Sequence, residues 1–209
     1  MTMRARLTLA MVTATAMATL GSSLARAQGL KLCAPGDRRL DQATCLAYRA
    51  VLDSAKRLKL PTDAIEDKAV QGVASESDGP MIVAAIQRLL TNLYAAKQSL
   101  GRNASDRDLK AAANALDAGA TTRDLAVLAA AAVPRTRSLE TPLTVLVELA
   151  AQVPMVKVIP DVKWMLQVAV SDAKFQSYQR DVQAQIALGG DPTIVANRLS
   201  RAFQPIPHH

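Results

Sequence analysis

Two cysteines, one acidic loop and a terminal histidine pair are the residues of this 209-residue chain whose type and spacing invite chemistry. Cys33 and Cys45 lie 12 positions apart. A redox-active pair wants Cys-x-x-Cys at a helix start, where the dipole lowers the thiol pKa. The wider spacing predicts a structural disulfide instead, tying the segment around Pro35-Gly36 to the first turns of the helix that follows. Such a loop closure is worth at most ~3 kcal/mol. The stretch Ala74–Pro80 sets Glu76 and Asp78 ahead of a strongly amphipathic run. The sharp reading of Glu76 is the general acid of a cell-wall glycan hydrolase, which needs a pocket to raise its pKa and aromatics to hold sugar. The sequence supplies no aromatic beside it, and the simpler reading is a helix start with Asp78 as the cap. The histidines are His208 and His209, on a tail broken by Pro205 and Pro207. The body of the chain therefore has no imidazole for a Ser-His-Asp or Cys-His nucleophile and no Cys/His zinc set. No Gly-x-x-x-x-Gly-Lys is present either. The sequence thus predicts no catalytic residue, no cofactor and no metal.

The elements that position these residues read as helices throughout. Apolar residues recur at the helical period: Ala43, Leu46, Ala47, Ala50 and Val51, then Ile82, Ile86, Leu89, Leu90 and Leu93. Shorter stripes follow at Leu109–Leu116, Leu125–Ala132, Leu143–Ala150, Ile159–Leu166, Phe175–Ile186 and Val195–Phe203. Ser105 with Asp108, and Thr121 with Asp124, have capping-box spacing. Asp191-Pro192 supplies a cap before a proline at the first helical position, with Gly189-Gly190 closing the helix before it. Pro61-Thr62 and Thr141-Pro142 mark two more starts. Pro160 either opens a helix or interrupts one that began near Met155. The fold class expected is all-α, a compact bundle or short α-solenoid of antiparallel helix hairpins.

A weak internal repeat supports that expectation. Leu116–Thr121, Leu149–Pro154, Leu166–Ser171 and Ile186–Asp191 each run from an apolar residue through a helix stop to a cap or proline. Each is followed by an apolar residue four positions later, the pattern of a tight helix–turn–helix. Through Ala118-Gly119-Ala120, Ser138 with Pro142–Leu146, Gln152-Val153-Pro154 and Gly189–Pro192, the stretch from Leu60 to Phe203 resembles a group of secreted bacterial all-helical proteins without assigned activity. In these, Gly-Val-Pro or Gly-Ala-x turns separate short Leu- and Ala-rich helices. Gln152 departs from the pattern, which wants glycine there. The resemblance implies a fold and a compartment, and no chemistry.

The first 27 residues have the three parts of a secretory signal: Arg4 and Arg6, the uncharged run Leu7–Leu20, and Ala25-Arg26-Ala27 for cleavage. Lys31 before Cys33 argues against a lipid anchor. The expected organisation is a signal peptide over 1–27, a single all-α domain over 28–203 with a disulfide-tied segment at 28–45, and a flexible tail over 204–209. Removing the leader takes three arginines and no acid, so the net charge falls from +7 to +4. With only six aromatics and that mild charge, nucleic-acid binding is not expected. The longest apolar run of the mature part, Leu125–Val133, falls far short of the ~20 residues of a membrane span. The expected function is an exported, non-enzymatic helical interaction module, periplasmic or extracellular, whose partner is another envelope protein. A small-ligand or lipid carrier is the alternative, with the Ile82–Leu100 and Val158–Leu166 helices enclosing an apolar cavity; the glycan hydrolase using Glu76 stands third.

Overall fold

A computed structural model describes residues 32–34, 37, 39–134 and 136–203. The expected leader (1–27), the Pro35-Gly36 turn and the tail (204–209) with its two histidines lie outside the described residues. Among the described residues there are nine α-helices and no strand. They are α1 (Gln42–Arg57), α2 (Thr62–Ala74), α3 (Gly79–Leu100), α4 (Asp106–Asp117), α5 (Thr122–Ala131), α6 (Glu140–Ala150), α7 (Met155–Gln167), α8 (Asp172–Ala187) and α9 (Pro192–Arg201).

One turn chemistry recurs along the chain and explains the repeat. At the end of α4, Gly119 has φ +104°. Its N–H donates to Leu116 and that of Ala120 donates to Ala115, after which Thr121 caps α5. This is the paired 6→1 and 5→2 closure of a left-handed C-terminus, which satisfies carbonyls the helix leaves orphaned. The same three-residue joint closes α8, with Gly189 at φ +90°. It also closes α1, α2 and α7, where the left-handed residue is Lys59, Glu76 or Ala169 instead of glycine. The C-terminus of α6 differs: Gln152 and Val153 both donate to Leu149 and no residue there has positive φ. That is why Gln152 breaks the pattern.

The starts follow the capping signals. Asp41, Asp78 and Asp191 each accept an N–H three residues on, and Ser105 and Thr121 form reciprocal boxes with Asp108 and Asp124. Pro160 lies inside α7, which begins at Met155. Helix α6 starts at Glu140, ahead of the expected Thr141-Pro142, because its first amides are served from outside: the Asp108 carboxylate of α4 accepts the N–H groups of Leu139 and Glu140 at 2.7 and 3.0 Å.

Helices two apart in the chain stack and run in the same sense. Gly79 at the start of α3 sits on Thr44 in the first turn of α1, so closely that a Cβ would collide with the threonine hydroxyl. Near the other end of α3, Lys97 Nζ caps the last carbonyls of α1, donating to Leu58 at 2.7 Å and Lys59 at 3.2 Å. The odd helices continue this row as α1–α3–α5–α7–α9, and α4, α6 and α8 form a second row against it. This is the layering of an α-solenoid, in which each helix buries one face on its row neighbours and another on the facing row. The core is Leu, Ile, Val and Ala, with Phe175 and Tyr178 its largest buried rings. One place in the second row is irregular. Helix α2 packs on α3 and more lightly on α1, and reaches α4 through the Asp63–Lys110 ion pair rather than through an extended packed face.

Candidate functional site

The residues singled out by the sequence are placed as follows. Cys33 and Cys45 are disulfide-bonded, with Cα atoms 5.5 Å apart. The bridge docks the segment containing buried Leu32 onto α1, where Arg49 donates to the Cys33 carbonyl at 2.5 Å. Asp37 accepts from the Cys33 N–H at 3.0 Å and from the Arg39 guanidinium at 2.9 Å, and Arg39 holds its carboxyl well below the usual carboxylate range. The assembly is a clasp, with both sulfurs engaged. Glu76 is exposed at a left-handed turn residue (φ +53°), in the position that closes α2. The hollow of about 250 Å³ beside that turn is lined by Ser75, Ser77, Gly72 and Ile82 among others, and Glu76 does not contribute to it. Asp78 is occupied with the Met81 N–H at 2.9 Å. Ile82, Ile86 and Leu93 of α3, and Val158, Val162 and Met165 of α7, are buried in the core, and α5 packs against both helices.

Two buried carboxylates went unrecognised as such in the sequence. Asp108, 7% exposed, joins α4 to α6. One of its oxygens accepts from the Ser105 N–H and hydroxyl, and the other from the Ser138 hydroxyl and the Leu139 and Glu140 amides. Burial pushes its pKa up, but these hydrogen bonds outweigh it and hold the carboxyl below its ordinary value. Asp161 of α7, 1% exposed, accepts from Asn197 (3.0 Å) and Ser200 (2.8 Å) of α9. There burial wins, and the carboxyl is raised despite its two donors and the nearby Arg201. Burial of its own ring, and after it the Asp161 charge, push up the Tyr178 phenol, whose hydroxyl donates to Ala196 at 3.2 Å. One turn on from Asp161, the Arg201 guanidinium lies 5.3 Å from the centre of the half-buried Trp164 ring. These groups staple helices together. Among the described residues no group of three His, Cys, Asp or Glu is placed to hold a metal.

A broad concavity arises where the second row is broken. Between α2 and α4 lies a groove of about 700 Å³, floored by Ala84, Ala85 and Leu89 of α3. Ala64, Asp67, Lys68 and Gln71 form the α2 wall, and Lys110, Ala113, Asn114 and Asp117 the α4 wall. Arg88 and Asn92 of α3 rise from the floor. Lys110 pairs with Asp63 across the gap between α2 and α4, and Arg88 pairs with Asp117 at 2.8 Å. The cause lies in the α2 sequence. Only Ile65 and Ala69 are buried on α2, enough apolar stripe for one neighbour, whereas α4 buries six residues and packs on both α3 and α6. The groove is lined by small side chains below and by amides and ion pairs above. It holds no nucleophile–base pair. Its lining of small side chains, amides and charged groups is a surface suited to binding.

Compared with protein families, curated proteins and solved structures, the chain matches none. This groove is therefore the feature of the molecule that points to a role. Sequence reasoning did not find it, because none of its residues belongs to a motif. The signal available was the thin stripe of α2, flanked by Asp63, Glu66, Asp67 and Lys68.

Proposed function

We propose that this protein is an exported, non-enzymatic interaction module whose α2–α3–α4 groove receives a segment of another envelope protein. The observation that carries the reading is the break between α2 and α4, which leaves α3 uncovered at Ala84, Ala85 and Leu89. A stacked-helix scaffold has no need of such a gap for its own packing, and stacks of this kind present concave faces to partners. Export is supported by the disulfide, a bond that persists in oxidising compartments. No described helix is long and apolar enough to cross a membrane.

Site-specific photocrosslinking tests the reading. A benzoylphenylalanine at Ala84, in the groove floor, is expected to give a discrete adduct in the cell that makes the protein. The same group at Lys174, exposed on α8, is the control and is expected to give none. Equal labelling from both positions, or none from Ala84, contradicts the proposal.

A further inference from the structure

We infer that the groove takes its occupant as an extended polypeptide and grips it by the main chain, through the side-chain amides of Gln71, Asn92 and Asn114. The inference rests on the interaction reading above and specifies the form in which the partner enters. Three helices each contribute one amide to the same groove: Gln71 from α2, Asn92 from α3 and Asn114 from α4. Among the described residues, Asn92 and Asn114 make no side-chain hydrogen bond. Gln71 uses only its oxygen, accepting from Lys68 at 3.3 Å, so its N–H donors are unspent. A primary amide carries donor and acceptor side by side, which matches the alternating N–H and C=O of a peptide backbone. Of the charged groups around them, Lys110 and Arg88 are paired with Asp63 and Asp117, while Asp67 and Lys68 of the α2 wall are in no ion pair among the described residues. The amides are the neutral part of the unspent hydrogen-bonding capacity, and the part that all three helices share.

Dimensions decide between an extended chain and a helix. A helix with its side chains is ~10–12 Å thick. The α2 and α4 walls are close enough for Lys110 and Asp63 to meet directly, so a helix laid along the groove would have to break that pair. An extended chain needs only the ~4.8 Å spacing of neighbouring strands. From Lys110 to Asp117 the α4 wall is ~10 Å long, a length that about three extended residues cover. The alanines beneath, Ala84 and Ala85, let a backbone approach closely and offer no deep side-chain pocket, so recognition is tolerant of sequence.

The test follows the side-chain amide signals of Gln71, Asn92 and Asn114 by nitrogen–proton NMR on the full chain. The probe is a pool of end-capped hexapeptides randomised at every position. A second pool has alternate backbone nitrogens methylated, which removes main-chain donors and leaves the side chains. The unmethylated pool is expected to shift the three amide signals, and the methylated pool to bind about tenfold more weakly. Asn114→Leu, on an exposed position, is expected to weaken the response by a similar factor without altering the rest of the spectrum. Ala84→Trp is expected to abolish it by filling the floor. Absence of any shift overturns the inference, and so does equal binding of the two pools. If the pools fail while the Ala84 crosslink still forms, a partner does dock in the groove by its side chains or a folded surface, and the main-chain inference alone falls.

Discussion

Single carboxylates show how local environment decides the sign of a pH effect. Asp108 and Asp161 are both buried aspartates at helix–helix joints, yet their pKa values move in opposite directions. Asp108 is outnumbered by donors, including two backbone amides of another helix. Its folded pKa lies below the unfolded ~3.9, so its stabilisation is complete above that value and is lost as pH falls through the folded value. Asp108→Ala is expected to cost about 2–4 kcal/mol, because it strands the first amides of α6 as well as the α4 box. Asp108→Asn is expected to flatten the acid limb of stability; urea denaturation between about pH 7 and pH 3 measures both. Asp161 has two neutral donors and deep burial. Its pKa is raised, so its contribution is present below ~3.9 and is lost as pH rises through the folded value. Asp161→Asn keeps an acceptor for Ser200 and Asn197 and carries no charge. It is expected to be at least as stable as the native chain at neutral pH, and to lose the decline of stability that the aspartate imposes above about pH 4. A marked loss of stability at neutral pH would contradict that account.

At the scale of elements, five of the joints share one geometry and three of them are built without glycine. Lys59, Glu76 and Ala169 adopt φ of +65° or less on the left-handed side, +52°, +53° and +55°, where a Cβ is unfavourable. Lys59→Gly, Glu76→Gly and Ala169→Gly are each expected to raise stability by about 0.5–1 kcal/mol, summing nearly additively because the joints are separate. Gly119→Ala and Gly189→Ala are expected to lower it by about 1 kcal/mol. The Glu76 substitution has a second use. If the chain cleaved cell-wall glycan through Glu76, the stabilised variant would lose that activity, whereas a turn residue loses nothing. At the other end of the chain, reduction or Cys45→Ser is expected to destabilise by up to ~3 kcal/mol by releasing the clasp, read from thermal melts with and without reductant.

These joints also show what the sequence made legible. Ser105, Thr121, Asp78 and Asp191 announce their helices because a cap is a local device, settled within four residues. Glycine at Gly119 and Gly189 announces a stop for the same reason. Ala169 closes its helix in the same way and shows only through the repeat over Leu166–Ser171, while Lys59 and Glu76 do so with residue types that carry no left-handed preference. The start of α6 was misplaced for a related cause: its cap, Asp108, sits 31 residues away from Leu139. Long-range caps leave no trace in a window of sequence.

For the whole molecule, the organising fact is that helices pack on neighbours two positions along the chain, in two rows. The odd row is continuous from α1 to α9, and the even row runs unbroken only from α4. The groove follows from that one missing contact, and no residue of it carried a motif that spacing could reveal. What the sequence did contain was quantity: α2 has too little apolar surface to serve two neighbours, while the alanine-rich α4 has enough. Distances between paired spin labels test the break directly. Labels at Lys68 on α2 and Asn114 on α4 report the gap, and labels at Arg107 on α4 and Glu140 on α6, whose side chains face each other, report the adjacent pair that does pack. Directly packed helices have axes ~8–10 Å apart. The Arg107–Glu140 distance is expected to fit such a pair, and the Lys68–Asn114 distance to be longer by several ångströms, shortening or narrowing only when a ligand fills the groove. Equal distances for the two pairs would mean that α2 closes onto α4, and the groove on which the functional reading stands would not exist.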